Sequence, residues 1–341
     1  MFNRLFLLDG MALIYRAHFA LMKNPIFNSK GRNTSALYGF ANTLLDILTT
    51  QHPTHLAIAL DTSDPTERHT LYPAYKAQRD ETPEDIREAI PAIERLAAAF
   101  NIPLLKAPGY EADDIIGTLA RAADAKGWET YMVTPDKDFG QLVSDYVRIL
   151  KPGRAGSDIE VLWPIQICER WRITDPKQVI DILALTGDAS DNIPGCPGVG
   201  EKTAAKLLAE FGSIENLLEN THQLKGALKT KIEENREQIL FSKFLATIKT
   251  DVPIDIEIAD LARKPMNEEA IQSIFEELEF RTLINRVLKT EPDKPKATPQ
   301  SGFFGDLFAQ GDTENNEKAT LPSTFADIHS TPHTYRLIET E

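Results

Sequence analysis

Short apolar runs alternate with longer amphipathic stretches through the first 150 residues. Leu5-Phe6-Leu7-Leu8, Leu56-Ala57-Ile58-Ala59-Leu60 and Tyr131-Met132-Val133 are continuously apolar and bounded by turn residues. That is the pattern of strands buried on both faces of a parallel sheet. The pattern predicts strands near 4–8, 55–60, 102–105, 128–133 and 146–150, with helices near 35–50, 84–100, 111–125 and 137–143. Thr82-Pro83-Glu84-Asp85 reads as a helix start, with a cap, an early proline and first-turn acids. The fold class expected is α/β, a mainly parallel central sheet flanked by helices.

From about 165 to 288 the strand signal fades. Val179-Ile180-Ile182-Leu183, Ala204-Leu207-Leu208-Phe211 and Ile239-Leu240-Phe244-Leu245 carry helical spacing. The expected organisation is an α/β core over 1–165 and a helical subdomain over 166–288. Residues 289–322, rich in Lys, Glu, Pro, Thr, Gly, Gln and Asn, read as a flexible linker. Inside it, 302–308 forms an apolar island, read as a patch docking on the protein's own surface or as a candidate short linear motif for a partner protein. Thr334-Tyr335-Arg336-Leu337-Ile338 looks like a strand beginning, so 323–341 is expected to open a following, truncated domain.

Composition narrows the class. At 341 residues and 42% hydrophobic content, the chain can bury a large core. Cys168 and Cys196 offer neither a metal spacing nor a disulfide framework, which fits a reducing cytoplasm. Asp9 interrupts the early apolar run, so no signal peptide is expected, and no stretch reaches the ~18 apolar residues of a membrane span. The net charge of −14 argues at first against nucleic acid. However, 290–341 holds nine acidic and four basic residues, and bound cations would invert the sign of a carboxylate cluster.

Such a cluster is the strongest chemical signal. Asp9, Asp61, Asp136 and Asp138 follow the three apolar runs. Glu111, Asp113 and Asp114 open a helical run, and Asp188 and Asp191 precede a glycine-rich turn. One such residue is ordinarily a turn former, a helix cap or a first-turn acid. Nine of them at strand and helix ends match the place where open α/β sheets bind ligands. Converging carboxylates repel by roughly 4 kcal/mol per pair at ~4 Å and an effective dielectric near ~20. Hard divalent cations, Mg²⁺ or Mn²⁺, relieve that repulsion.

Gly198-Val199-Gly200-Glu201-Lys202-Thr203-Ala204 allows a tight hairpin between helices, with Lys202 and Lys206 on the first turns of the second. This is a helix–hairpin–helix signature over about 188–210, a motif that grips the DNA backbone without reading sequence. The polar segment 62–83 is long for a connection and carries Arg68, Tyr75, Lys76 and Arg79. They are candidates for phosphate contact and, for Tyr75, base stacking; a solvated loop is the plainer reading. Asp136-Lys137-Asp138 does not sit after the first strand, where dehalogenase-type phosphatases place their aspartate pair, and no P-loop or nucleophile elbow is present.

With these residues in hand, the chain resembles the 5′-nuclease domain at the N-terminus of bacterial DNA polymerase I enzymes, a branch of the flap endonuclease family. The resemblance covers about 2–288 and includes Leu7-Leu8-Asp9-Gly10, Tyr15-Arg16-Ala17, Tyr75-Lys76-Ala77-Gln78-Arg79, Glu111-Ala112-Asp113-Asp114, Asp136-Lys137-Asp138, the stretch Gly187–Ala204 and Leu245–Asp251. Glu67, Asn33 and Pro135 depart from the family pattern. The resemblance implies a structure-specific 5′ nuclease of DNA replication and repair, cutting at 5′ flaps and 5′ ends by two-metal-ion catalysis. It implies that all nine carboxylates are metal ligands, that Lys76 and Arg79 steer the scissile phosphate, and that Arg16 and Tyr75 position the strand. It also implies a helical arch over 62–83, a K⁺ ion at the hairpin, branched duplex DNA as partner, polymerase domains on the same chain and a bacterial, nucleoid-associated location. A DNA tether without activity and a ribonuclease of similar fold are the competing readings.

Overall fold

The computed structural model describes residues 3–153 and 159–288. The expectations for 289–322, 302–308 and 323–341 lie outside the described residues. Strand β1 (Arg4–Asp9) runs directly into helix α1 (Gly10–Leu21), followed by α2 (Ser35–Asp46), which widens into a π turn over Ile47–Gln51. Next come β2 (His55–Ala59), the short α3 (Glu67–Leu71), α4 (Glu84–Ala99), β3 (Leu104–Leu105) and α5 (Ala112–Asp124). Strand β4 (Glu129–Val133), a 3₁₀ turn at Asp138–Leu142, β5 (Val147–Lys151) and β6 (Glu160–Leu162) complete the sheet. Helices α6 (Pro164–Trp171), α7 (Val179–Thr186), α8 (Glu201–Phe211), α9 (Ile214–Glu219), α10 (Gly226–Glu234), α11 (Arg236–Ala246), α12 (Glu268–Glu277) and α13 (Arg281–Leu288) follow.

The strand order is β3-β2-β1-β4-β5-β6, parallel except for the antiparallel edge strand β6. The sheet is thus mainly parallel, as the apolar runs predict. Alternation decides which face each side chain covers. Leu5, Leu7, Ala57, Ala59, Met132 and Ile149 face α5 and the helices from α7 to α11. Phe6, Leu8, Leu56, Ile58, Val133 and Leu150 face α2 and α4. Helices α12 and α13 join this second face: Phe280 meets Tyr38 edge-on at 5.0 Å, and Arg286 pairs with Asp46 of α2 at 2.7 Å.

Three expectations change in the structure. The helix expected at 137–143 is a single 3₁₀ turn. Helix α1 escapes the sequence because its cap, Asp9, is the last residue of β1, so apolar strand and apolar helix read as one run. Thr82 does not cap α4; Pro83 occupies the cap position and the Thr82 hydroxyl accepts instead from Tyr15 Oη at 3.0 Å. The turn from β1 into α1 lies so close to β2 that a Cβ on Gly10 would stand 2.9 Å from the Ala59 carbonyl oxygen. Strand order reverses about β1 and β4, which opens a crevice at their carboxyl ends.

Candidate active site

Six pieces of chain meet around that crevice: the ends of β1, β2 and β4, the start of α5, the turn after α7 and segment 66–79. Asp9 is buried; its Oδ1 caps α1 by accepting from Ala12 N at 3.1 Å, and its Oδ2 accepts from Thr134 Oγ1 at 2.9 Å. Burial, with the charges of Asp61 and Asp136 nearby, raises its pKa to about 7. Asp61 stands exposed beyond β2 and accepts from Ala112 N at 2.8 Å, which joins that loop to the start of α5. Burial and the neighbouring Glu111 and Asp114 push the Asp113 carboxyl well above the usual range, and its buried Oδ1 has no hydrogen-bond partner. Asp136 lies at the exposed lip and accepts from Asp138 N at 2.9 Å. Burial and the charge of Asp136 raise Asp138 to about 7.

Asp188 and Asp191 arrive on the turn that follows α7. Gly187 and Gly195 hold that turn in the left-handed region, and a Cβ on Gly195 would stand 2.2 Å from Gly187 N. Burial would raise Asp188, but Lys137 and Ser190 outweigh it and hold the carboxyl below the usual range. Lys137 bridges the cluster, donating to Asp188 Oδ2 and, at 3.1 Å, to Asp138 Oδ1.

Segment 66–79 folds down over this turn. Lys76, at φ 56°, donates from Nζ to Glu111 Oε2 at 2.8 Å and lies 3.7 Å from Asp191. Although burial opposes its charge, Glu111 and its neighbours hold the Lys76 ammonium protonated well above the ordinary value. Arg79 is half-exposed and donates to Asp191 Oδ1 at 2.5 Å. Lys76 N donates to the Asp191 carbonyl at 3.0 Å and Asn192 Nδ2 to the Ala74 carbonyl at 2.7 Å.

Among the described residues no three His, Cys, Asp or Glu side chains stand in a metal-holding group; ammonium groups lie between the carboxylates instead. The donor set nevertheless fits hard divalent cations. It offers oxygen ligands, and the buried Asp113 oxygen lacks a donor.

Three residues singled out in the sequence lie buried among protein partners. Asp114 is 1% exposed and both its oxygens are taken, by Arg68 at 2.9 and 2.8 Å and by the backbone N–H groups of Glu111 and Lys249 at 3.3 and 2.8 Å. Protein donors thus hold both Asp114 oxygens in this arrangement. Arg68 is 2% exposed and cannot reach DNA. Tyr75 is buried as well; its hydroxyl donates to Glu111 at 3.1 Å and Asp191 at 3.3 Å, so its ring is closed to base stacking.

The remaining candidates take other positions. Arg16 reaches from α1 to the carbonyls of Pro152, at 3.0 Å, and Gly153. Gly198, at φ 75°, and Gly200, the cap of α8, form the hairpin, and Lys202 and Lys206 are exposed on α8 just beyond it. The sequence reading missed Thr134, whose hydroxyl donates to Asp9 and accepts from Asp136 N at 3.1 Å, and the bridging Lys137. A hydroxyl at the end of an apolar strand, two residues before an acid, was the available signal.

Comparison with known proteins gives the same architecture. A family model described as 5′-3′ exonuclease, N-terminal resolvase-like domain, matches residues 4–175, and one described as 5′-3′ exonuclease, C-terminal SAM fold, matches 174–269. DNA polymerase I of Bacillus subtilis is 44% identical over 287 residues, 84% of this chain and 32% of the relative. Thermostable DNA polymerase I of Thermus filiformis is 39% identical over 314 residues, 90% of this chain and 36% of the relative. The chain therefore spans about a third of the length of the relatives it matches. Among solved structures, bacteriophage T5 flap endonuclease in a complex with DNA and metal ions superposes with TM-score 0.61 at 19% identity, covering 81% of this chain and 100% of that one. The catalytic core of Rad2 with a DNA substrate gives 0.54 at 17% identity, covering 84% and 93%; both likenesses are of fold.

Proposed function

The chain belongs to the 5′-3′ exonuclease family, and from that premise we propose that it is a structure-specific 5′ nuclease of DNA replication and repair, hydrolysing phosphodiesters at 5′ flaps and 5′ ends. One observation carries the reading: carboxylates from the ends of β1, β2 and β4, the start of α5 and the turn after α7 share partners around one crevice. Asp9, Asp61, Glu111, Asp113, Asp136, Asp138, Asp188 and Asp191 would hold two or more Mg²⁺ or Mn²⁺ ions. When bound, such ions lower the pKa of water and neutralise charge on a reacting phosphate.

The protein's own groups divide the rest of the work. Lys76 and Arg79 stand on a segment that covers the cluster, so their charge can meet the reacting phosphate as negative charge builds on it. Arg16, which donates to the Pro152 and Gly153 carbonyls, helps to position the strand. Segment 62–83 admits a free 5′ end. Gly198, Gly200, Lys202 and Lys206 grip duplex backbone, with K⁺ at the hairpin. In domain terms, 1–165 is the nuclease core and 166–288 the duplex-binding part. We place the protein in the bacterial cytoplasm, with polymerase domains on the same chain. Among the described residues no helix is long and apolar enough to cross a membrane.

The deciding experiment is cleavage of matched 5′-flap substrates in DNA and RNA, with and without chelator. Cutting of the DNA flap restored by Mg²⁺ or Mn²⁺ but not Ca²⁺ supports the reading. Full activity in chelator refutes the metal assignment, preference for RNA favours a ribonuclease, and binding without cutting favours a tether.

A further inference from the structure

We propose that Arg68 is a positioning residue for this cleavage: its guanidinium locks the start of α5, and with it Glu111, to the segment 247–249 that leaves α11. The inference rests on the nuclease reading and extends it to residues that touch neither DNA nor metal.

Arg68 lies on α3 and is 2% exposed. Its two terminal nitrogens donate to the two Asp114 oxygens at 2.9 and 2.8 Å, one of them donates again to the Thr247 carbonyl at 2.6 Å, and Glu111 Oε2 lies 3.5 Å away. The far side of the node is equally fixed. Lys249 N donates to Asp114 Oδ1 at 2.8 Å, and the buried Gln141 clamps the same segment through the Ala246 carbonyl at 3.0 Å and Ile248 N at 2.9 Å. Segment 245–251, distinctive in the sequence but silent in the chemistry, thus ends up bonded to the opening turn of α5.

Stability is a poor reason for this arrangement. A buried ion pair loses most of its attraction to desolvation, and an apolar pair of similar volume often serves as well. Here Arg68 Nε is also buried without a partner. What the pair does supply is a fixed distance between three elements: α3 within the covering segment, α5 with Glu111 and Asp113, and the exit of α11 from the helical part. A load on the helical part from bound duplex therefore reaches the carboxylates through rigid contacts.

The test is Arg68→Lys, which keeps the charge but cannot span both Asp114 oxygens. Supports of metal ligands contribute about tenfold or more to affinity or activity. We expect kcat on a 5′ flap to fall about tenfold or more with KM little changed, and Mn²⁺ binding measured by calorimetry without DNA to weaken by about as much. Arg286→Lys, at the Arg286–Asp46 pair on the other face of the sheet, is the control. It should lower the melting temperature and leave kcat and Mn²⁺ affinity alone. If Arg68→Lys does not fold, the double variant Arg68→Met with Asp114→Leu removes both charges and should fold while showing the same losses. A folded variant with native kcat and Mn²⁺ affinity overturns the proposal, as does a loss confined to KM or an equal effect of Arg286→Lys. A native protein that neither cuts flaps nor binds Mn²⁺ sinks the nuclease reading and this inference together; a native protein that cuts while Arg68→Lys cuts equally well sinks this inference alone.

Discussion

Asp9→Asn should stabilise the metal-free protein, and by an amount that depends on pH. In the fold the Asp9 carboxyl titrates near 7 against an ordinary 3.8, with burial the largest cause. The native state therefore binds the proton more tightly than the unfolded chain, so ionising Asp9 destabilises the fold. The penalty is absent below about pH 4 and grows as pH rises to about 7, where it levels off. A gap of about three units at ~1.4 kcal/mol each gives about 4 kcal/mol. Asn retains the oxygen that accepts from Ala12 N but must rearrange the Thr134 bond, a cost of about 1 kcal/mol. The net gain at pH 8 is about 3 kcal/mol, or about 5 °C in Tm for a protein of this size. At pH 5 most of the native Asp9 is already protonated, and the gain shrinks to about 1 °C by the same arithmetic. The assay is a melting series from pH 5 to 8 in chelator, repeated with Mg²⁺, which should reverse the ranking by stabilising the native carboxylate. Destabilisation at pH 8 in chelator, or a gain that does not vary with pH, refutes the reasoning.

Lys76→Ala or Arg79→Ala should cut the single-turnover rate on flap DNA by about a hundredfold, the scale of a lost oxyanion donor, while the dissociation constant moves much less; an unchanged rate removes their catalytic role. Lys202→Ala should weaken binding to every duplex sequence alike and lower the salt slope by about one, so a change in sequence preference would contradict the backbone contact. Gly195→Ala drives a Cβ to 2.2 Å from Gly187 N at a positive φ; we expect the turn carrying Asp188 and Asp191 to be displaced and cleavage lost, and a native rate would show that the turn tolerates the strain.

The sequence by itself determined five of the six strands, β6 excepted, and the acids that stand at the ends of β1, β2 and β4. Those signals are local: a buried parallel strand must be apolar throughout, and a ligand-binding acid must stand at its end. Leu5 to Leu8 and Asp9 express both within five residues. It did not determine which acids are free to bind and which are consumed. Asp113 and Asp114 are neighbours in the chain and identical in kind, yet one keeps a buried oxygen without a partner and the other is saturated by Arg68, 46 residues away, and by Lys249, 135 residues away. Arg68 and Lys76 lie eight positions apart in one polar segment; the fold buries the first beneath α5 and leaves the second, on a left-handed residue, at the edge of the cluster. Charge and spacing announce that a residue can ionise. Only packing decides which partner it meets and how much water it keeps, because both depend on segments that the chain brings together from far apart.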